Sequence, residues 1–372
     1  ILLNISKSLA EIDWILPVLY ELKSKYKIIT IFQNPKIYET LQQDKILFPL
    51  WKKISFNHSI DSKINKIFRY FIKKTNQNYN IKNYLYKKNI DISKIKILLS
   101  EFGTYSWLFE EIKKFDKKKI TIHFPTSSFI FGLEKKNIKI KYKLNGDYLL
   151  LCNKLDINFW EKRIEKNKIK IVGVPKYDVH WLKKLIKKKK NSTKNKILLA
   201  YSSRFNLMGA NKEKLENQLV TIMEVLKKLK NYKVIFKIHP RKNDPYYLNI
   251  LNRYEEVDWE ISNENILSLA SDCNLLLHDK YSSVIHEGLA IKKPCIEYWD
   301  VEKDLNTIYA QDYLKLNVIA INKDKLYDLI MLAIKNPKSS LWKRQIFNFK
   351  KNSENFPISA SKYAAACITK ID

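Results

Sequence analysis

The stretch SDCNLLLHDKYSSVIHEGLAIKKPCIEYWD, residues 271–300, decides the fold. Residues 274–277 form a short apolar run that predicts a buried strand. A helix over 283–291 follows, and 295–298 returns to strand composition. Strand, helix and strand in that order predict a parallel pair joined by a crossover. The alternation continues outward, with strands at 196–201, 233–238 and 318–321 and helices near 212–230, 263–271 and 324–335. It recurs toward the N-terminus, with strands at 1–5, 27–32, 95–99, 120–123, 148–152 and 169–172 and helices at 11–25 and 107–114. Residues 51–94 read as one or two lysine-rich surface helices, with Ile64, Ile67, Phe68, Phe71 and Ile72 at helical spacing. Between the two sets, residues 183–196 are dominated by Lys, Asn, Ser and Thr, the composition of a linker. The expectation is an α/β chain of two Rossmann-like, doubly wound parallel-sheet domains with a cleft between them. Residues 1–185 form the first, 186–340 the second, and 341–372 C-terminal helices that pack back on the first.

Composition limits the function. The 372 residues exceed one ordinary core, and 45% hydrophobic content is enough to fill two. The 69 basic against 38 acidic residues give a formal charge of +31, yet six of the basic residues are arginine and the rest lysine, spread along the whole chain. Such a spread reads first as a solvated surface and second as a footprint for an anionic membrane. Nucleic-acid binding would call for arginine interleaved with exposed aromatics, a pattern missing from this chain. The four cysteines (Cys152, Cys273, Cys295, Cys367) stand far apart, as in a reduced cytoplasmic protein, and imply no structural metal. No apolar run reaches the ~18 residues of a membrane span. The chain begins at Ile1 without Met, as a piece of a longer protein would.

Open parallel sheets bind ligands beyond the carboxyl ends of their strands. Strand 233–238 ends in His239-Pro240-Arg241, where proline stiffens the exit from the sheet beside an imidazole and a guanidinium able to grip a phosphate or a base edge. Strand 274–277 leads through Ser282 and Ser283 into a helix; Ser282 reads as its N-cap, and hydroxyls with free N–H groups there suit an anion. Glu287, a turn further in, could accept a ribose diol, and Gly288 would permit close approach of backbone or ligand. Arg204 lies just past strand 196–201, where a phosphate would sit. The same residues also read as an ordinary helix cap and a favourable first-turn carboxylate.

KIHPR at 237–241 followed by the 271–300 stretch resembles the C-terminal half of bacterial GT-B transferases that build surface polysaccharides from cytidine-nucleotide donors. Two groups share the pattern. One comprises transferases of CMP-activated sialic acids and Kdo, with HP and Ser-Ser motifs, and the other CDP-glycerol or ribitol phosphotransferases of the teichoic-acid type. The resemblance implies a GT-B fold and a donor site made of His239, Pro240, Arg241, Ser282, Ser283 and Glu287. In the first half, Ser100-Glu101-Phe102-Gly103 is similar to the acidic-acidic-glycine motif of CMP-sialic acid polymerising enzymes, with Phe102 where the second acid stands. By that likeness Glu101 is a candidate base. Thr121–Ser128 sits where teichoic-acid polymerases carry a histidine-glycine-threonine base motif, which makes His123 the second candidate, although Phe124-Pro125 replaces the glycine. Asn145-Gly146-Asp147-Tyr148 and the turn from Gly173 through Pro175 to Asp178 resemble later landmarks of that family. Asp13, after the first strand's turn, is a third candidate by position alone.

GxGxxG, P-loop and HExxH patterns are missing from the sequence. The expectation is a metal-independent, cofactor-free glycosyltransferase working at the cytosolic face of the membrane. It would move a sialic-acid-like or Kdo sugar from a CMP donor to a glycan or lipid-linked glycan of a capsule or lipopolysaccharide. CDP-glycerol or ribitol phosphotransfer is the runner-up, ahead of a UDP-sugar epimerase and of a basic nucleic-acid-binding protein.

Overall fold

The computed structural model describes residues 1–60, 85–102, 107–125, 146–154, 157–186, 195–201, 212–238, 246–279, 282–299, 316–352 and 359–372. The chain forms two compact units, Ile1–Trp181 with Asn355–Asp372, and Leu182–Glu354.

In the first unit, strands β1 (Leu2–Ile5), β2 (Ile28–Phe32), β3 (Ser55–Ile60), β4 (Ile97–Glu101), β5 (Ile120–Phe124), β6 (Tyr148–Leu151) and β7 (Ile169–Ile171) form one sheet in the order β3-β2-β1-β4-β5-β6-β7. Every pairing is parallel. Its described helices are α1 (Leu9–Leu22), α2 (Pro35–Gln43), α3 (Leu47–Lys52), α4 (Trp107–Phe115) and α5 (Ile157–Glu161), with α6 (Val179–Leu185) at the passage to the second unit. Strand order reverses between β1 and β4, so the crevice that such sheets offer a ligand opens at the carboxyl ends of those two strands. Burial on both faces explains the largely apolar central strands: β1 and β4 are buried at every position, with Asn4, Ser100 and Glu101 as their polar members.

The second sheet has the order β10-β9-β8-β11-β12-β13, again all parallel, from β8 (Asn195–Tyr201), β9 (Tyr232–Ile238), β10 (Asp258–Ile261), β11 (Leu275–Asp279), β12 (Cys295–Tyr298) and β13 (Val318–Ala320). Helices α7 (Lys212–Lys227), α8 (Tyr246–Leu251), α9 (Ile266–Asp272), α10 (Val284–Ala290), α11 (Lys323–Lys335) and α12 (Ser340–Asn352) surround it. Leu275 and Leu277 of β11 join the core shared with α7 and α11, so Leu276 and His278 face the other way, toward α10. Here the reversal of strand order lies between β8 and β11.

Three readings shift. The strand expected to end at Leu99 runs on through Glu101, because that backbone pairs in register with Phe124 and Phe102 N–H donates to the Phe124 carbonyl. Residues 55–60, expected within surface helices, form the edge strand β3, while 61–84, including Ile64, Ile67, Phe68, Phe71 and Ile72, lie outside the described residues. The C-terminal helices part company: α12 belongs to the second unit, with Trp342 in its core, while α13 (Ala360–Ile371) packs on α1 in the first.

Among the described residues no helix is long and apolar enough to cross a membrane.

Candidate functional site

At the first reversal point, the turn after β1 brings three successive backbone N–H groups, those of Ser6, Lys7 and Ser8, onto the carboxylate of Glu11 in the first turn of α1. Glu11 is fully buried, and loss of solvent pushes its pKa up to about 7 despite those three donors, with the nearby Glu101 charge adding to the rise. The same turn projects Lys7, whose Nζ donates to Glu101 Oε2 at 2.6 Å. The lysine is 41% exposed and the carboxylate 6%, so a buried anion at the tip of β4 has a half-exposed cation as its partner.

His123 occupies the equivalent tip of β5 but faces the opposite side of the sheet. It pairs in register with Ser100, whereas Glu101 pairs with Phe124, and Phe124 stacks on Trp14 of α1 with 5.7 Å between ring centroids. The His123 Nδ1 lies 3.0 Å from Ser100 Oγ, both groups being buried. Burial pushes the imidazole down to about 4, so it is neutral through the physiological range. The other edge of the ring lies against Gly146, where an added Cβ would stand 2.2 Å from Cδ2 and 2.8 Å from Nε2. Asp147 anchors that turn: its carboxylate accepts from Thr121 N–H at 2.7 Å and from Lys113 Nζ at 2.6 Å, and its own N–H donates to the Thr121 carbonyl.

The structure thus brings Glu101 and His123 to neighbouring strand tips on opposite faces. Asp13 lies in the second turn of α1, with Oδ2 3.5 Å from the buried Lys176 Nζ in the turn at Pro175–Tyr177. Phe102, standing where the likeness would place a second acid, packs edge-on against the buried Trp160 in an apolar cluster at β6 and β7.

In the second unit, Ser282 and Ser283 follow β11 at the reversal point. The helix cap is Ser283 rather than Ser282. Ser283 already has helical angles (φ −64°, ψ −9°) and makes no side-chain cap hydrogen bond, because a hydroxyl caps from the extended conformation. Glu287 is buried within α10. The space at Gly288 is filled by protein: an added Cβ would lie 2.4 Å from Cys295 Sγ and 2.9 Å from Leu276 Cδ2. This glycine therefore lets α10 settle onto β11 and β12. Beside it His278 is fully buried, with Nδ1 2.8 Å from the Asp279 carbonyl oxygen, and Nε2 has no hydrogen-bond partner among the described residues. Burial holds this imidazole down at about 4 as well. His239, Pro240, Arg241 and Arg204 lie outside the described residues, although β9 and β8, from which they follow, end side by side at Ile238 and Tyr201. Among the described residues no three His, Cys, Asp or Glu side chains come together as metal ligands.

Sequence reading missed Lys7, Ser100 and the contact of Gly146 with His123. It also passed over the Ser8-x-x-Glu11 spacing, the signature of a capping box, which was there to be seen.

A family model described as CDP-Glycerol:Poly(glycerophosphate) glycerophosphotransferase matches residues 112–355. No curated protein matches the chain in sequence. Among solved structures, the chain is similar to the wall teichoic acid polymerase TagF at 15% identity, covering 99% of this chain and 88% of that one with a TM-score of 0.61. It is also similar to the UDP-GlcNAc 2-epimerase of Neisseria meningitidis bound to UDP-GlcNAc, at 12% identity, coverages of 100% and 98% and a TM-score of 0.60. The Methanocaldococcus jannaschii UDP-GlcNAc 2-epimerase in complex with UDP-GlcNAc and UDP gives 20% identity, coverages of 99% and 99% and a TM-score of 0.62. At such identities the likeness is one of fold: two Rossmann-like units, as the alternation of strands and helices led us to expect, in the GT-B type that the resemblance implied.

Proposed function

The chain belongs to the CDP-glycerol:poly(glycerophosphate) glycerophosphotransferase family, and from that premise we propose that it transfers an alditol phosphate from a CDP-activated donor to a hydroxyl of a growing surface polymer, releasing CMP. The observation that carries this reading is the span of the family match, 112–355, which takes in His123, the His239-Pro240 pair and Ser282-Ser283 together. The reaction placed first on sequence alone, transfer of a CMP-activated acidic sugar, becomes the second choice, because the matching family is that of the runner-up.

In this proposal His123 takes the proton of the acceptor hydroxyl. The freed oxygen attacks the phosphorus that carries the alditol, and the bond from that phosphorus to the CMP oxygen breaks. His123 is preferred to Glu101 for two reasons. Its ring stays unprotonated through the physiological range, whereas Glu101 Oε2 already accepts a hydrogen bond from the Lys7 ammonium. His239, Arg241 and Arg204 would neutralise the departing phosphate, Ser282 and Ser283 would hold it, and Glu287 would bind the ribose. Charge stabilisation by these groups would make a metal unnecessary.

The test is CMP release measured against CDP-glycerol, CDP-ribitol, CMP-Kdo, CMP-sialic acid and UDP-GlcNAc, with and without chelator. Turnover of a CDP-alditol, insensitive to chelator, is expected. Turnover confined to the CMP-sugars would restore the other order. Loss of one charge-stabilising group costs about 2.7 to 4 kcal/mol of transition-state stabilisation, so His239→Ala should retain about 0.1 to 1% of turnover.

A further inference from the structure

Taking His123 as the base, an assignment that belongs to the proposed function, we propose that Ser100 and Gly146 are positioning residues that fix both the orientation and the tautomer of its ring, leaving Nε2 as the nitrogen that accepts the acceptor's proton. The geometry supplies three constraints on one imidazole. Ser100 Oγ meets Nδ1 at 3.0 Å from the neighbouring strand. Gly146 makes room for the Cδ2–Nε2 edge, where any side chain would clash. The Gly146 turn is itself immobilised by Asp147, which is tied to the Thr121 backbone in both directions and to Lys113. Strand alternation puts Ser100 and His123 on the same face only because β4 and β5 pair with those two residues level.

The chemistry follows from the inventory of ring nitrogens. A neutral imidazole has one N–H donor and one acceptor, and the hydrogen bond made by one nitrogen decides the state of the other. With Nδ1–H donating to Ser100 Oγ, the lone pair sits on Nε2, beside the only residue type that leaves space there. A merely structural core histidine would need a partner for Nδ1. It would not need a side-chain-free position held rigidly against its opposite edge.

The experiment combines imidazole nitrogen NMR with kinetics on the intact chain. In wild type the spectrum should show Nδ1 protonated and Nε2 bare. In Ser100→Ala both tautomers should appear, with kcat falling roughly 10- to 100-fold, a part of the 10²–10⁴ that a positioned base supplies, and KM for the CDP-alditol unchanged. Ser100→Thr, which keeps the hydroxyl, should restore kcat to within a few-fold. Gly146→Ala should lower kcat in the same way, and donor binding by calorimetry, unchanged from wild type, should show that the chain remains folded. A wild-type spectrum with Nε2 protonated overturns the proposal, as does unchanged kcat in Ser100→Ala or Gly146→Ala. If no CDP-alditol is turned over at all, the proposed function fails, and the tautomer spectrum still decides the roles of Ser100 and Gly146.

Discussion

Acid should weaken the second unit through one imidazole. His278 is fully buried in β11 and held at about 4 against an ordinary 6.5. Above pH 6.5 the ring is neutral in both folded and unfolded chains and has no effect on stability. As the pH falls below 6.5, the unfolded chain takes up a proton that the folded one refuses. Stability present above 6.5 is therefore lost until the folded ring itself titrates near pH 4. At 1.36 kcal/mol for each unit of separation, the loss reaches about 3 kcal/mol. In the first unit His123 acts in the same sense, being held at about 4, but Glu11 acts in the opposite one. Its carboxyl is held at about 7 against 4.5, so its contribution is complete below 4.5 and is lost as the pH rises through 7. Between pH 4.5 and 6.5 these two slopes offset each other, and the acid-induced loss should concentrate in the second unit. Native-state hydrogen exchange read by mass spectrometry separates the units, with peptides covering β8 and β9 set against peptides covering β4 and β5. Wild type should show opening free energies that fall with acid only for the former, and His278→Gln should flatten that fall. Equal losses in both units, or a slope untouched by His278→Gln, would refute the reasoning.

Asp178 closes the turn that begins at Gly173, and its carboxylate accepts from Ala360 N–H at 2.8 Å and Ser361 N–H at 2.7 Å, capping α13. Asp178→Ala should destabilise the first unit by about 1 to 2 kcal/mol, the cost of a lost cap, measured as a lowered urea midpoint with donor affinity intact. Gly288→Ala should overpack α10 against Cys295 and Leu276 and cost about 1 to 3 kcal/mol; adding Cys295→Ala should recover part of it, and a neutral Gly288→Ala would contradict the packing role. A chain of net charge +31 should co-sediment with phosphatidylglycerol vesicles at low salt and be released as salt rises, and failure to bind at low salt would confine the charge to solubility.

The central strands were legible because a parallel sheet covered on both faces demands near-continuous apolar runs: 197–200 and 275–277 supply unbroken ones, and 2–5 and 97–100 are interrupted only by Asn4 and Ser100. The strands that escaped notice, Ser55–Ile60 and Asp258–Ile261, are the outer members of their sheets. Ser-Phe-Asn-His-Ser-Ile and Asp-Trp-Glu-Ile carry the polar side chains that an edge tolerates, and β10 has no buried position at all. Site residues were legible to the extent that strand ends were. Ser282 and Ser283 became candidates from the rule that ligands gather at carboxyl ends, and Glu101 and His123 from strand ends read together with the family resemblance, all without knowledge of register. Their partners could not. Lys7 meets Glu101 across 94 positions of sequence, and Ser100 meets His123 only because two strands pair level; a slip of one residue would turn His123 to the face of Glu101. At Gly288 the close approach expected of backbone or ligand is made by the protein itself. Nothing in a lone glycine tells whether the space it leaves is used by a ligand or, as here, by a sulfur of the next strand.

The anion cradle of the first unit is taken by the chain's own carboxylate, which agrees with the proposal that the donor's phosphates bind the second unit. Three consecutive N–H groups at the start of a helix are an anion cradle. In the first unit that cradle, at Ser6, Lys7 and Ser8, already holds the chain's own Glu11 carboxylate. A phosphate brought there would face Glu11 and, one strand away, Glu101, both buried. Repulsion between like charges grows where solvent is excluded, so the first unit disfavours a diphosphate at the place where Rossmann-like folds usually take one. What it presents instead is a neutral imidazole fixed by a hydroxyl and a glycine, suited to an uncharged hydroxyl group. After β11, Ser283 spends no side-chain hydrogen bond on capping its own helix; the carboxylates of Asp279 and Glu287 are buried there as well, and in the sequence His239 and Arg241 follow β9. The proposed division of labour between the units thus turns on the occupied cradle at Glu11 as well as on the residues that would touch the donor.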